Sequence, residues 1–150
     1  MGIHIIKKEE QKEVARVLVS YWKSRGMKKH TQKWALEYLQ KGHKKEIVKD
    51  EFFVYNEDKE MKGVVSGVTF HGNVAEIRDE VAIPRANREL FKRIIIELVR
   101  KLKQRKVRKV YTLALKQTKK AYKELGFKQE GLLRDHFKRG EDVEIWSKLL

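Results

Sequence analysis

Residues 74 to 115 carry the pattern that most restricts how this chain can fold: an apolar strand, a long amphipathic helix and a second strand. The helix is predicted over residues 87 to 106, because apolar side chains recur there at helical spacing. These side chains are Phe91, Ile94, Ile95, Leu98 and Leu102. A strand, a helix and another strand in one sheet form a right-handed parallel crossover in nearly all proteins. The two strands are therefore expected to lie parallel in one sheet, with the helix covering them.

The N-terminal part predicts one strand and two helices. Residues 3 to 6 are apolar and are followed at once by charged residues, which favours a strand over a targeting segment. Residues 9 to 25 and 31 to 41 show helical periodicity, with Thr31 as the N-cap of the second helix. The expected packed faces are Val14, Val17, Leu18 and Tyr21 in the first helix and Trp34, Ala35, Tyr38 and Leu39 in the second.

The remaining segments complete a mixed sheet. Three strands joined by short turns predict an antiparallel meander, and two strands separated by a turn at Arg139-Gly140 close the chain. The predicted order is β-α-α-β-β-β-α-β-α-β-β, an α/β (α+β) fold with helices on both faces of the sheet and a single domain over residues 1–150. The further segments are strands over 46–56, 61–70, 74–83 and 107–115, a helix over 117–125, and closing strands from Phe127 onward.

Composition restricts the chemistry more than the fold. The chain has no Cys, and its five His show no metal-ligand spacing, so neither thiol nor metal chemistry is expected. No apolar run is long enough to span a membrane, and a cytoplasmic protein is the expectation. Charged residues make up 38%, a composition typical of proteins from hot environments. The formal net charge of +15 indicates a surface that attracts polyanions, or one that only keeps the protein in solution.

The C-terminal half resembles a known family. The segment AYKELGF, residues 121–127, is similar to the Tyr-x-x-x-Gly-Phe ending of the last helix in GNAT N-acetyltransferases, and residues 130–150 resemble their closing hairpin. Residues 75–83, AEIRDEVAI, resemble the strand before the acetyl-CoA loop in the histone-acetyltransferase form, with one extra residue. Such an insertion predicts a β-bulge, a device that re-aims side chains. The resemblance implies the GNAT acyl-CoA N-acyltransferase fold and, because GNAT domains occur in pairs, a homodimer as an open expectation.

The resemblance implies acetyl-CoA as co-substrate, with its pyrophosphate at the start of the long helix. Backbone N–H groups and the positive end of the helix dipole bind phosphate there. This chain departs from the family, because residues 84–93, PRANRELFKR, hold none of the loop glycines and place Glu89 in the first turn. An N-cap at Asn87 with no ligand is the alternative interpretation. The residues assigned to acetyl-CoA are Val81, Ala82, Ile83, Arg85, Asn87, Arg88, Glu89, Leu90, Phe91 and Lys92.

The resemblance also implies direct acetyl transfer to a primary amine of a protein N-terminus, a lysine or a small molecule. Glu76 occupies the position of the histone-acetyltransferase glutamate and is the first candidate for the base, with Glu80 as the second. On a regular strand both carboxylates would share one face, and a bulge would break that parity. Tyr122 matches the tyrosine that protonates the leaving thiolate. Each of these residues has a purely structural alternative, and His136 is expected either to be structural or to line the acceptor cleft.

A second hypothesis is a catalytically inactive GNAT-like protein whose basic surface binds nucleic acid or another polyanion. Basic residues crowd the end of the long helix and the segments after it, where they could neutralise phosphates of RNA or DNA, including the ribosome. Interaction with the helix dipole is the simpler explanation for those near the helix end. The basic residues are Arg100, Lys101, Lys103, Arg105, Lys106, Arg108, Lys109, Lys116, Lys119, Lys120 and Lys123.

Overall fold

The computed structural model describes residues 4–150, which form two compact units divided after Glu46. The N-terminal unit contains two helices, and the larger unit, Ile47–Leu150, contains a six-stranded sheet and two further helices. The single domain over residues 1–150 stays a prediction. Among the described residues, no helix is long and apolar enough to cross a membrane.

The N-terminal unit begins with a 3-10 turn, Lys8–Glu10, that leads into helices α1 (Gln11–Ser24) and α2 (Gln32–Lys41). The predicted strand over residues 3 to 6 is wrong for residues 4 to 6, and Ile3 lies outside the described residues. A strand needs a hydrogen-bonded neighbour, and all six strands of the described sheet come from Ile47 onward. Ile5 is accordingly 90% exposed.

Helices α1 and α2 pack through alanines and aromatic rings. Ala15 and Ala35 are fully buried, and Trp22 of α1 meets Trp34 of α2 edge-on, with ring centroids 5.3 Å apart. The packed face predicted for α2 is confirmed, but the one predicted for α1 is partly wrong, since Val17 and Tyr21 are more than half exposed. Residues 15 and 22 are seven positions apart and share a helix face, and that face is rotated away from residues 17 and 21.

The Thr31 N-cap is confirmed, because its hydroxyl oxygen accepts a hydrogen bond from the Trp34 N–H at 3.2 Å.

The sheet of the larger unit has the strand order β1-β2-β3-β4-β6-β5. Strands β3 and β4 are parallel, which confirms the predicted crossover, and every other neighbouring pair is antiparallel. From the second predicted strand onward, the elements follow the predicted order. Their bounds are β1 (Ile47–Glu57), β2 (Glu60–Phe70), β3 (Val74–Ala82), α3 (Arg88–Gln104), β4 (Lys109–Ala114), α4 (Lys119–Glu124), β5 (Lys128–Leu133) and β6 (Val143–Leu149).

The core of this unit lies between one face of the sheet and helices α3 and α4. All five side chains predicted for the packed face of α3 are buried, and Leu90 joins them. Each such side chain contributes about 1.5–3 kcal/mol when it leaves water, which explains why the helix docks. Gly63 of β2 allows the close approach, because a Cβ there would lie 2.7 Å from the Val81 carbonyl oxygen and would overlap Ile94. Helices on both faces of the sheet stay a prediction.

Candidate active site

Strands β3 and β4 form a fork. They pair only from Val74 opposite Lys109 to Ile77 opposite Thr112, although both strands continue beyond this point. At the end of this pairing the Thr112 hydroxyl oxygen lies 3.2 Å from the Ile77 carbonyl oxygen. A cavity of about 550 Å³ opens where the strands separate. It is lined by Glu76, Ile77, Arg78, Asp79, Glu80, Leu113, Leu115, Thr118, His136 and Phe137.

The predicted bulge is present in β3 at the fork. Val64 of β2 pairs with Val81 and Ser66 pairs with Arg78, so β3 has one residue more than β2 over the same length. Asp79 takes the left-handed backbone conformation, with φ of 51°. The Ser66 hydroxyl donates to the Asp79 carboxylate at 2.9 Å and lies 3.1 Å from the Arg78 carbonyl oxygen. The extra residue is therefore held by a buried side chain of the neighbouring strand.

Glu80 follows the bulge and is hydrogen-bonded to two hydroxyl groups. Its Oε1 accepts from the Tyr122 hydroxyl at 2.7 Å and from the Thr112 hydroxyl at 3.2 Å. Burial raises the pKa of Glu80 above its ordinary value of 4.5, and the two hydroxyl groups offset only part of that effect. The buried Glu80 carboxylate therefore binds a proton more tightly than a glutamate exposed to water.

Tyr122 lies behind Glu80 and is fully buried. Its ring packs edge-on against Phe91 of α3, with centroids 5.6 Å apart, and against Phe127, at 5.0 Å. Burial and the charge of Glu80 raise the pKa of Tyr122 well above 10.0, so its hydroxyl keeps its proton at neutral pH.

Glu76 has different neighbours from Glu80. Its carboxylate accepts from the Arg78 guanidinium at 2.6 Å and from the Tyr111 hydroxyl at 3.2 Å. Tyr111 belongs to the opposite side of β4 from Thr112, so Glu76 and Glu80 lie on opposite faces of the sheet. Burial and then the charge of Glu76 raise the pKa of Tyr111 to about 12.

The structure therefore brings Glu80 and Tyr122 together and separates Glu76 from both. The sequence analysis missed Thr112 and Tyr111. Thr112 is a fully buried polar residue in the strand KVYTLA, whose side chains are buried at alternate positions. A polar residue at one of the buried positions needs a hydrogen-bond partner, and this requirement could have indicated Thr112 from the sequence. Among the described residues, no three His, Asp or Glu side chains are placed to bind a metal ion.

Many solved structures are similar to this chain, and three acetyltransferases are representative of them. A ribosomal-protein-alanine N-acetyltransferase from Brucella melitensis is 15% identical over 100% of both chains, with a TM-score of 0.58. An acetyltransferase from Bacillus subtilis in complex with CoA is 15% identical over 76% of this chain and 80% of its own, with a TM-score of 0.61. A GNAT family acetyltransferase from Elizabethkingia anophelis with acetyl-CoA bound is 14% identical over 67% and 76%, with a TM-score of 0.60.

This chain has the GNAT acetyltransferase fold. No protein-family model matches the chain, and no curated protein matches it in sequence. At this low identity the likeness establishes the fold and not the chemistry.

The start of α3 is where the sequence resemblance places the phosphates in this GNAT fold. Asn87 is the N-cap, and its side-chain oxygen accepts from the Leu90 N–H at 3.0 Å. The Phe91 N–H bonds to the Asn87 carbonyl oxygen, and both Leu90 and Phe91 bury their side chains in the core. Two of the predicted phosphate-binding N–H groups are thus already used within the helix. Those of Arg88 and Glu89, in the first turn, have no intrahelical acceptor.

Cationic side chains surround the same helix start. Glu124 of α4 lies 3.2 Å from the Lys92 ammonium and 3.6 Å from the Arg88 guanidinium, and Lys92 also pairs with Glu89 at 2.8 Å. The hydrogen bond with Lys92 lowers the pKa of Glu124, so this carboxylate stays charged. Glu124 therefore holds two of the cations that the sequence analysis assigned to acetyl-CoA.

The end of β3 offers a free strand edge. Val81 and Ala82 pair with Val64 and Gly63 of β2, and the Ile83 N–H donates to the Lys62 carbonyl oxygen at 2.8 Å. Toward β4, the described pairing ends at Ile77, so the edge on that side of residues 78–82 has no strand partner. Extended ligands bind to such edges through main-chain hydrogen bonds.

Proposed function

We propose that this protein is an N-acetyltransferase that moves an acetyl group from acetyl-CoA to a primary amine. The observation that carries the proposal is the 2.7 Å hydrogen bond between Glu80 and Tyr122, at the fork of a GNAT fold and beside a cavity of about 550 Å³. The bond joins a group that can accept a proton to one that can donate a proton, which is what transfer between an amine and a thioester requires.

Glu80 is the proposed base. A primary amine is mostly protonated at neutral pH and must lose a proton before its nitrogen can attack a carbonyl carbon. The raised pKa of Glu80 makes this carboxylate a stronger base than an exposed glutamate, and the residue lines the cavity where an amine would enter. Glu80 takes the amine proton while the new C–N bond forms.

Tyr122 is the proposed acid. It keeps its proton at neutral pH and can give it to the thiolate sulfur as the C–S bond breaks. The hydrogen bond then allows Glu80 to return the amine proton to the Tyr122 oxygen, so both groups recover their starting state. Because Tyr122 is enclosed, this role requires the thioester sulfur to enter the fork beside Glu80.

Glu76 stays an alternative base. It also lines the cavity, but the Arg78 guanidinium at 2.6 Å neutralises its charge. Glu80 is favoured because it accepts the hydrogen bond from the proposed acid Tyr122, whereas Glu76 lies on the other face of the sheet.

The residues at the start of α3 fit acetyl-CoA in a modified way. Arg85, Arg88 and Lys92 would hold its phosphates by charge-assisted contacts, in place of backbone groups in a glycine loop. The open edge of β3 at Val81–Ile83 would hold the pantetheine arm, and acetyl-CoA would supply the activated acetyl group. Two similar structures carry CoA or acetyl-CoA, which supports this assignment.

The first experiment is calorimetric titration with acetyl-CoA, with CoA and ATP as controls. Because Glu124 competes with phosphate for Arg88 and Lys92, we expect Glu124→Gln to raise acetyl-CoA affinity by about three- to tenfold. Glu97→Gln, which breaks the pair with Arg100 farther along α3, is the matched control and should leave affinity unchanged. Absence of acetyl-CoA binding at millimolar concentration in both wild type and Glu124→Gln would end the enzyme proposal.

The acceptor is proposed to be a cationic amine. The cavity holds three carboxylates and one guanidinium, although the protein as a whole is strongly basic, and Leu113, Leu115 and Phe137 add apolar surface. A protein N-terminus, a lysine and a small-molecule amine all satisfy this chemistry. The Brucella melitensis neighbour acts on a ribosomal-protein alanine, which supports testing ribosomal N-termini first. His136 lines the same cavity.

The alternative is a binding protein whose basic surface holds nucleic acid without catalysis. Several of the cations behind that hypothesis are neutralised, because Arg100, Arg105, Lys109 and Lys119 pair with carboxylates. In the part of the chain that the structure describes, no carboxylate lies within ion-pair distance of Lys101, Lys103 or Lys106. Affinity for RNA that falls steeply with salt, in a protein that does not bind acetyl-CoA, would favour this alternative. A homodimer and a cytoplasmic location stay predictions.

A further inference from the structure

A second cavity, of about 590 Å³, lies within the N-terminal unit between α1 and the start of α2. Its volume falls in the range of roughly 300–1,000 Å³ that is usual for small-molecule sites. It is lined by Arg16, Val19, Ser20, Lys23, Lys28, His30, Thr31 and Gln32. None of the elements in the proposed acetyl-transfer site contributes to it.

The helical repeat explains why these residues converge. Arg16, Ser20 and Lys23 are four and then three positions apart, so they form one polar stripe along α1. Lys28 and His30 come from the connection that follows α1. The connection places the Lys28 ammonium and the His30 ring beside this stripe.

The cavity is positively charged and has no acidic lining residue. Among residues 4–150, no carboxylate lies within ion-pair distance of Arg16, Lys23 or Lys28, although many other cations of this chain are paired. The cavity at the fork differs, because it contains three carboxylates. The high net charge of the chain alone does not account for a concave surface lined by only one sign of charge.

Two of the other lining residues have hydroxyl groups that can donate hydrogen bonds. Ser20 and Thr31 contribute hydroxyl groups, and the Thr31 oxygen already accepts from Trp34, which leaves its hydroxyl hydrogen free to donate. A phosphate group offers only acceptor oxygens and a negative charge, so it matches a wall of cations and donors. We propose that this cavity binds a phosphate group, carried either by a small phosphorylated molecule or by the backbone of a nucleic acid.

His30 links the cavity to the aromatic cluster of this unit. Its ring lies 4.3 Å from Trp34 and 5.1 Å from Trp22, centroid to centroid, and its buried Nδ1 has no hydrogen-bond partner in the described part of the chain. A ligand that contacts His30 will therefore change the emission of these two tryptophans.

The test is amide-resolved NMR of the full chain, titrated separately with pyrophosphate and with a short oligouridine RNA. Binding in the cavity predicts saturable shifts at Ser20, Thr31 and Gln32. Binding at the start of α3 would instead shift the amide signals of Arg88 and Glu89, so the two sites are distinguished in the same titration. The double variant Lys23→Gln/Lys28→Gln should weaken phosphate binding in the cavity by at least about tenfold, because each of the two substitutions removes one charged contact with the phosphate.

The matched control is Lys101→Gln/Lys103→Gln, which removes the same charge from α3 and should leave the cavity shifts unchanged. Shifts with pyrophosphate identify a small phosphorylated ligand, and shifts with the RNA alone identify a nucleic-acid backbone. Shifts spread over all basic surfaces, or an equal loss in both double variants, would overturn the proposal and leave general charge attraction. Arg16→Gln provides a second variant at the cavity, and circular dichroism confirms that each variant keeps its helices.

Discussion

Strand β3 carries two glutamate–tyrosine pairs with different chemical properties. Glu80 accepts a hydrogen bond of 2.7 Å from Tyr122 on one face of the sheet, and Glu76 accepts one of 3.2 Å from Tyr111 on the other. The residue types are the same, and the two carboxylates are four positions apart. What differs is the third group: Glu76 has the Arg78 guanidinium, and Glu80 has the neutral Thr112 hydroxyl.

This difference shows that the surroundings of a carboxylate, more than its position in a motif, decide what it can do. Burial without a cation raises the pKa of Glu80, whereas the charge of Glu76 is compensated by its ion pair. Uncompensated burial costs stability, and sites that retain it are often functional. The Glu80 pair is therefore interpreted as chemical and the Glu76 pair as structural.

The largest expected effect separates the two carboxylates directly. Glu80→Gln keeps the shape and the bond from Tyr122 but cannot accept a proton, so kcat should fall by about 100-fold to 10,000-fold. Glu76→Gln should lower kcat by less than about tenfold, because the proposed mechanism gives the proton transfer to Glu80. Steady-state rates with a panel of primary amines measure both.

Circular dichroism controls for folding in these two variants. A large loss in Glu76→Gln with normal rates in Glu80→Gln would reverse the assignment, and unchanged rates in both would remove the site.

The second-largest expected effect is a difference in kcat between variants of the two tyrosines. Tyr122→Phe keeps the buried ring but removes the acid, so kcat should fall by about 10- to 100-fold. Tyr111→Phe removes only a hydrogen bond to Glu76 and should leave kcat within about twofold, at a stability cost of about 1 kcal/mol. Chemical denaturation and initial rates on the same preparations give both quantities. Equal activity loss in the two variants would show that the pairs are not functionally distinct.

The bulge offers a smaller perturbation that acts only through geometry. Ser66→Ala removes the anchor of Asp79, so we expect Glu80 to shift and kcat to fall by about tenfold. Ser66 is hydrogen-bonded to the backbone of Arg78 and to neither Glu76 nor Tyr111, so the pKa of Tyr111 should stay raised in an ultraviolet titration.

Ser66→Thr keeps the hydroxyl group and serves as the matched variant. A normal rate in Ser66→Ala would mean that the bulge does not position the base.

The smallest effect is on stability and depends on pH. The pKa of Glu80 is higher in the folded than in the unfolded protein, so its contribution to stability is fully present below 4.5 and is lost as pH rises through the folded pKa. In Glu80→Gln the side chain does not titrate, so its contribution to stability does not fall as pH rises. The unfolding midpoint of the variant should therefore match that of wild type below pH 4.5, exceed it increasingly as pH rises through the folded pKa of Glu80, and stay higher by a constant amount above that pKa. A difference that shrinks as pH rises would contradict the raised pKa.

The fold could be predicted from the sequence wherever periodic apolar residues form one buried face of a helix or strand. The packed face of α3 and the parallel crossover were predicted because apolar spacing and chain topology leave few alternatives. The first strand failed because its prediction rested on four apolar residues with no identified partner. The packed face of α1 failed at Val17 and Tyr21 because alanines and Trp22 provide the contact, and small residues give a weak periodic signal.

The sequence indicated Glu76, Glu80 and Tyr122 as candidate site residues, but it indicated neither Thr112 and Tyr111 nor the way these residues are grouped. The spacing Tyr-x-x-x-Gly-Phe located Tyr122, and the extra residue in β3 indicated the bulge. Which carboxylate meets Tyr122 depends on how the strand accommodates that extra residue, and this is a three-dimensional property. The same holds for Glu124, whose contact with Arg88 and Lys92 joins two helices that are far apart in sequence.

The bulge at Asp79 also affects how this chain should be aligned with others. The sequence resemblance assigns the family glutamate to Glu76, whereas in the structure Glu80 is the carboxylate that accepts from Tyr122. Because the bulge absorbs one residue, the segment after it keeps its own alternation, with Glu80 and Ala82 on one side and Val81 on the other. A sequence pattern meant to find further chains of this kind should therefore fix the distance from Glu80 to the start of α3 and leave the distance from Glu76 to Glu80 free.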